Sequence, residues 1–162
     1  MTGPPGTGMS GELPGGGIVR GDERSAPFFA AAGRDVLLIR RCPDCGHWAA
    51  PEAAGCPGCG GGSLDWAPAD GHGTLVSWTG PGGSGQAAGG VPALVELAEG
   101  PWLHTWLAAE HLPGLGDTAE PRELRADAPV TVSFVHPAEG ESYPVFRLAP
   151  DEPGHQHQGT AG

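Results

Sequence analysis

The chain contains no lysine, so eight arginines supply all of its Lys/Arg positive charge, against 19 acidic residues. Without lysine, Schiff-base chemistry and a Walker-type phosphate loop are excluded. The formal net charge of −11 disfavours nucleic-acid binding, because surfaces that bind DNA or RNA neutralise phosphates with basic side chains. The same charge disfavours adsorption to anionic membranes.

Long apolar runs are also absent. Runs such as 36–39 and 91–95 fall far short of the roughly 20 residues that a membrane-spanning helix needs. Residues 1–19 are rich in Gly and Pro, and they lack the basic region and apolar core of a signal peptide. We therefore expect a cytoplasmic protein, in which thiols stay reduced.

The motifs of common catalytic centres are missing as well. There is no Gly-x-Ser-x-Gly elbow, no His-Glu-x-x-His motif, and no Gly-x-Gly-x-x-Gly before a predicted helix. All four cysteines fall in one cluster, so none is left over as a nucleophile. We predict no catalytic residues.

Glycine and proline are abundant, with 30 and 18 copies in the 162 residues. Such a content is typical of low-complexity chains, but here it concentrates in a few stretches. We predict disordered tails at 1–21 and 151–162 and a mobile loop at 80–91. A further Gly/Pro-rich stretch surrounds the cysteines, and the remaining residues have a nearly ordinary globular composition.

Local patterns predict one helix followed by short strands. Ser25 followed by Pro27 predicts a capped helix start, and Gly33 predicts its end. A Glu-Gly-Pro turn signal at 99–101 predicts a hairpin. The strand-like runs are 36–41, 74–79, 91–97, 102–107, 130–135 and 143–148. The last five favour a small barrel or sandwich.

Two Cys-x-x-Cys-Gly knuckles are the strongest chemical signal. Cys42 and Cys45 form the first, and Cys56 and Cys59 form the second. Two intervening residues let both thiolates of a pair reach one ion from a tight turn. The following glycine can adopt the positive φ that completes the turn. We predict one structural zinc ion with four thiolate ligands, which leave no open position for water.

The alternatives are two disulfides, a redox Cys-x-x-Cys or an iron centre. Disulfides suit a secreted chain, and a redox motif would occur once, between a strand and a helix. Ligand spacing alone does not separate iron from zinc. His47, just after the first knuckle, is interpreted as an exposed turn residue rather than a fifth ligand.

Trp102, His104 and Trp106 alternate along a predicted strand and therefore share one of its faces. This face could stack bases, but a wall of the core or of a protein interface is the favoured interpretation. Trp48 and Trp66 flank the cysteines, and we expect both to pack against them. Trp48 joins the three strand residues as a candidate partner or ligand face.

The order of these parts resembles a known family. The segments RCPDCGHW and CPGCGG precede GHGTLVSWT, a VPALVELAEG hairpin, PVTVSF and PVF. Over residues 25–149 this order resembles the proteins known as domain of unknown function thirty-five. The resemblance implies a mainly β fold with an N-terminal helix and a rubredoxin-like four-cysteine zinc ribbon at 22–66. A five-stranded OB-fold barrel at 67–150 would follow.

The resemblance also implies a function. Such proteins are non-enzymatic accessory subunits of thiolase-superfamily enzymes, including aldolases that cleave steroid side-chain CoA thioesters, and some work with MaoC-type hydratases. Their implied role is to stabilise the partner and help hold acyl-CoA. The alternative is a single-stranded nucleic-acid-binding OB-fold protein that stacks bases on Trp102 and Trp106. No predicted strand carries the basic groove that this alternative needs.

Overall fold

The computed structural model describes residues 19–79, 90–108 and 124–149. Helix α1 (Ala26–Ala32) precedes a sheet of three short strands, β1 (Leu38–Arg41), β2 (Trp48–Ala49) and β3 (Asp65–Pro68). Five longer strands follow: β4 (His72–Trp78), β5 (Gly90–Leu97), β6 (Trp102–Ala108), β7 (Pro129–Val135) and β8 (Tyr143–Leu148). The predicted mainly β fold with one N-terminal helix is confirmed.

The predicted tails and loop fall mostly outside the described residues. Of the loop at 80–91, the last two residues are described, and they begin β5. Of the N-terminal tail, residues 19–21 are described, and the Val19 carbonyl oxygen accepts a hydrogen bond from the Glu141 N–H at 2.9 Å. None of the helices in the described ranges is long and apolar enough to cross a membrane.

Helix α1 ends as predicted but does not begin with the predicted cap. The Gly33 N–H donates to the Phe29 carbonyl at 3.0 Å and closes the last turn. Ser25 occupies the N-cap position, yet its side chain makes no capping hydrogen bond. Its hydroxyl instead donates to Asp22 Oδ1 at 2.7 Å, and the same oxygen accepts the Ser25 N–H at 2.8 Å. The nearby carboxylate competes successfully for the hydroxyl.

Strand β1 is the centre of the ribbon sheet and pairs antiparallel with both β2 and β3. Of its four residues, Leu38 and Arg40 are half-buried and Arg41 is exposed. Ile39 is fully buried, and with Leu37 it belongs to the same hydrophobic cluster as the barrel interior. The ribbon and the barrel therefore share one core.

Strands β4 to β8 form a closed barrel in the order β4-β5-β6-β8-β7, with β7 pairing back to β4. β5 and β6 form the predicted hairpin, and β6 runs parallel to β8. This five-stranded closed barrel is the predicted OB-fold. The most deeply buried side chains in its interior are Leu75, Val95, Leu107, Val130 and Phe146.

The Gly-x-Gly-Thr segment at the start of β4 has a steric explanation. Gly71 has a φ of 80°, and a side chain there would also overlap Val132. A Cβ at Gly73 would overlap the Glu96 carbonyl oxygen on the neighbouring strand. The strands approach each other this closely only because glycine lacks a Cβ.

Candidate functional site

The two cysteine knuckles have the same backbone geometry. The Gly46 N–H donates to the Cys42 carbonyl at 2.9 Å, and the Gly60 N–H donates to the Cys56 carbonyl at 2.9 Å. Gly46 and Gly60 have φ values of 75° and 77°, in the left-handed region that favours glycine. The predicted role of these two glycines is confirmed.

The knuckles bring all four cysteine sulfurs together, within 4.8 Å of one another. The Cys42 and Cys59 sulfurs are 3.7 Å apart, and those of Cys45 and Cys56 are 3.5 Å apart. Thiolates at about 2.3 Å from one tetrahedral ion would be about 3.8 Å apart, so the cluster fits a single ion. Disulfide sulfurs would be about 2.05 Å apart, and all four cysteines are free.

Backbone donors stabilise negative charge on one of the sulfurs. The Cys56 sulfur accepts the Gly58 N–H at 3.3 Å and the Cys59 N–H at 3.4 Å. The hydrogen bond from the Cys59 N–H is the largest cause, and the Gly58 N–H adds to it. Together with the neighbouring sulfurs they lower the pKa of the Cys56 thiol to about 6, against the opposing effect of burial.

The sulfurs also oppose one another's ionisation. The His47 backbone N–H lowers the pKa of the Cys45 thiol, but hydrogen bonds with the neighbouring sulfurs, Cys56 first, and burial raise it to about 12. Four thiolates at this separation repel one another. A bound cation would stabilise all four in the charged form, which is the form that binds metal.

The comparison with known proteins agrees with this geometry. The family described as "ChsH2, rubredoxin-like zinc ribbon domain" matches residues 29–65, which include all four cysteines. A solved structure of an Ltp2-ChsH2(DUF35) aldolase is 30% identical, with a TM-score of 0.61, over 80% of this chain and 97% of that chain. The chain belongs to the ChsH2 (DUF35) family.

A second solved structure of the same family shares less sequence with this chain. A DUF35-family protein of unknown function from Sulfolobus solfataricus is 12% identical, with a TM-score of 0.49, over 78% of this chain and 86% of that chain. No curated protein matches the chain significantly. The family resemblance found in the sequence is confirmed. The cysteine cluster lies within the segment that matches the family's zinc ribbon domain.

The candidate Trp/His face of this DUF35 protein lies on the outside of the barrel. Leu103, Thr105 and Leu107 fill the inner face of β6, so Trp102, His104 and Trp106 occupy the outer one. The three residues therefore do not face the barrel interior, and their interpretation as part of a protein interface stays a prediction.

The four candidate face residues do not form one surface. Trp102 is 53% exposed, and Trp106 packs against a small cluster that contains Tyr143 and Val145. Trp48 shares a groove with Trp102, whereas His104 lines a different cavity. Their role in binding a partner or ligand stays a prediction.

Trp48 and Trp66 contact arginines of β1. The Arg41 guanidinium carbon lies 4.9 Å from the centre of the Trp48 ring, and that of Arg40 lies 4.3 Å from the centre of the Trp66 ring. At these distances the guanidinium groups interact with the ring faces. Trp48 lines a groove together with the first knuckle, whereas Trp66 and Arg40 line a cavity that contains none of the four cysteines.

A cavity of about 450 Å³, which sequence analysis did not find, lies between the ribbon, α1 and β6. Phe28, Phe29 and Trp66 supply aromatic rings to it, while Arg24, Arg40 and His104 supply basic groups; Asp22 and Glu52 also line it. Small-molecule sites commonly have this size and this mixture of aromatic and polar groups. Its residues come from distant segments, so no local pattern identifies it.

A hydrogen-bonded chain of Asp35, His136 and Ser142 also went unpredicted. His136 Nε2 lies 2.8 Å from Asp35 Oδ1, and its Nδ1 lies 2.9 Å from Ser142 Oγ. The side chains of His136 and Asp35 are 48% and 69% exposed, whereas the aspartate of a Ser-His-Asp triad is buried. We interpret the chain as a structural link between α1 and the β7–β8 turn.

Proposed function

We propose that the protein is a non-catalytic accessory subunit that binds and stabilises a thiolase-superfamily enzyme, specifically an acyl-CoA aldolase. The observation that carries this proposal is the similarity to the Ltp2-ChsH2(DUF35) aldolase, which extends over 97% of the matched chain. The partner enzyme would be an Ltp2-like aldolase subunit. A MaoC-type hydratase is a further expected partner.

The chemistry of the described residues supports an accessory role. Four thiolates complete a tetrahedral coordination shell, so the cysteine cluster has no position at which a substrate would be activated. The Asp35–His136–Ser142 chain is largely exposed and has the structural role given above. Catalytic groups would therefore come from the partner subunit.

We propose that the metal is zinc, held by Cys42, Cys45, Cys56 and Cys59. The separations of the sulfurs fit an ion that accepts four thiolates, and the reducing cytoplasm would keep the cysteines available. The ion would supply a cross-link between the end of β1 and the second knuckle. It would thereby fix the ribbon surface beside the barrel.

We also propose that the subunit helps to hold acyl-CoA in the cavity between the ribbon, α1 and β6. Arg40 is stacked on Trp66, and its buried Nε has no hydrogen-bond partner among the described residues. Arg24 lines the same cavity with Arg40, and guanidinium groups suit the phosphates of CoA. The aromatic rings would pack against its adenine.

The nucleic-acid alternative has weaker support. Arg147 is the single arginine on the five described barrel strands, and the chain has no lysine. Single-strand binders combine stacking aromatic rings with a positively charged groove. The exposed Trp102 supplies a ring, but these strands supply no groove of that charge.

Co-expression with the Ltp2-like aldolase subunit of the same organism tests the proposed function. We expect the two chains to co-elute in size-exclusion chromatography with the mass of a complex, and the aldolase subunit alone to be less stable or less active. Separate elution of two folded proteins would contradict the proposal. A gel shift with short single-stranded oligonucleotides at low salt would instead favour the alternative.

A further inference from the structure

A groove of about 870 Å³ lies between the zinc ribbon and the turn that joins β5 to β6. The first knuckle and Trp48 line the ribbon side, and Glu99, Pro101 and Trp102 line the barrel side. Because it is open to solvent and bounded by both parts of the chain, this groove offers a single concave surface to another molecule.

Trp102 is the large hydrophobic residue that the structure leaves most exposed, at 53%, within the described ranges. The two ribbon tryptophans, Trp48 and Trp66, each have an arginine of β1 on the ring. No described arginine lies on the Trp102 ring. Tryptophan is the residue type most enriched among the side chains that dominate binding energy at protein interfaces.

The surface around Trp102 is acidic. Glu99 Oε1 accepts the Asp70 N–H at 2.7 Å, while its buried Oε2 has no hydrogen-bond partner among the described residues. Glu96 is exposed and lies directly opposite Trp102 in the β5–β6 register. None of the seven described arginines lines the groove. A carboxylate in this setting favours a cationic donor.

We propose that this groove receives an arginine side chain of the partner aldolase subunit. The guanidinium stacks on the Trp102 ring and, after a rotation of the Glu99 side chain that turns Oε2 toward the groove, donates to the Glu99 carboxylate. Arginine fits better than lysine because its planar group both stacks on aromatic rings and forms forked hydrogen bonds with carboxylates. The inference rests on the proposed function, since the occupant belongs to the partner enzyme.

A competing occupant exists within the chain itself. Of the eight arginines, only Arg122 lies outside the described residues. If Arg122 covered Trp102, the groove would be filled without a partner. The test therefore includes an Arg122→Ala variant of the isolated protein, with tryptophan fluorescence as its readout.

The experiment measures the dissociation constant between the full chain and the Ltp2-like aldolase subunit. We expect Trp102→Ala and Glu99→Gln each to weaken binding by about tenfold or more. Trp102→Phe keeps an aromatic ring and should recover part of the affinity. Glu141→Gln, which removes an exposed acid on the β7–β8 turn, is the matched control and should change affinity by less than about twofold.

The outcomes separate the two proposals. If the wild-type chain does not bind the aldolase subunit, the proposed function fails, and this inference fails with it. If the wild type binds and Trp102→Ala and Glu99→Gln bind equally well, only the arginine-groove inference is overturned. A fluorescence change in isolated Arg122→Ala that Trp102→Phe abolishes would assign the groove to the chain's own arginine. The metal content and melting temperature of every variant confirm that it is folded.

Discussion

Asp35 and His136 are separated by 101 positions in the sequence, yet the Asp35 carboxylate lies 2.8 Å from His136 Nε2. Asp35 follows α1 with a φ of 60°, and His136 directly follows β7. The other ring nitrogen of His136 meets the Ser142 hydroxyl at 2.9 Å. One imidazole thus connects the N-terminal helix to the β7–β8 turn.

Replacing this imidazole should destabilise the fold modestly. We expect His136→Ala to lower the free energy of unfolding by about 1 kcal/mol or less, because both partners are substantially exposed. Urea denaturation measures the change. Asp35→Asn is the control, since asparagine tolerates the left-handed backbone and keeps a hydrogen-bonding oxygen. A destabilisation by Asp35→Asn as large as that by Asp35→Ala would show that charge, rather than hydrogen bonding, matters.

Loss of one cysteine should release the metal. We expect Cys42→Ser to abolish stoichiometric zinc binding and to unfold the ribbon, because structural zinc contributes roughly 10–16 kcal/mol in small zinc modules. Elemental analysis and the melting temperature measure both effects. His47→Ala removes an exposed side chain outside the four-sulfur cluster and should keep its zinc. Retention of both metal and fold by Cys42→Ser would contradict the assignment.

A methyl group at Gly73 should disrupt the contact between β4 and β5. Gly73→Ala would place its Cβ against the Glu96 carbonyl oxygen, and we expect a destabilisation of about 1–3 kcal/mol. Thermal or urea unfolding measures it. Gly62→Ala is the matched control, because a Cβ there would enter open space. Equal stability of the two variants would show that β4 and β5 can move apart at Gly73 without a loss in the free energy of unfolding.

Removal of the Arg40 guanidinium should weaken CoA binding. We expect Arg40→Ala to reduce the affinity of the complex for CoA by about tenfold, the loss typical of one charge-assisted hydrogen bond. Isothermal titration calorimetry with CoA measures this change. Arg34→Ala removes an exposed arginine that does not line the cavity and should leave the affinity unchanged. Unchanged affinity in Arg40→Ala would place the CoA site elsewhere.

The barrel strands and the cysteine cluster were predictable because their signals are local. The runs 102–107 and 130–135 fall within β6 and β7, and the run 143–148 coincides with β8. The cysteines of each pair are separated by two residues, so a few consecutive residues are enough to predict their shared turn. The alternation of apolar and polar residues, together with turn residues, predicts such elements without information about the elements that pack beside them.

Elements that depend on their neighbours were missed. β2 comprises Trp48 and Ala49 alone, which is too short for any periodicity. β3 contains Asp65 and Pro68, residue types that strands disfavour, and it forms because β1 offers it a partner. The cavities and the Asp35–His136 contact arise only once the chain is folded. The alternation of β6 predicted a shared face, but not which side faces the interior.

The burial of Leu37 and Ile39 among barrel residues has a consequence for how this protein can be divided. The boundary between the ribbon sheet, which ends at Pro68, and the barrel, which begins at His72, separates two sheets but not two cores. Cutting there would expose both side chains on one fragment and leave a hole in the other. A ribbon grafted onto a foreign scaffold would therefore need another apolar surface to cover Leu37 and Ile39. The ribbon and the barrel can be exchanged between proteins only as a pair.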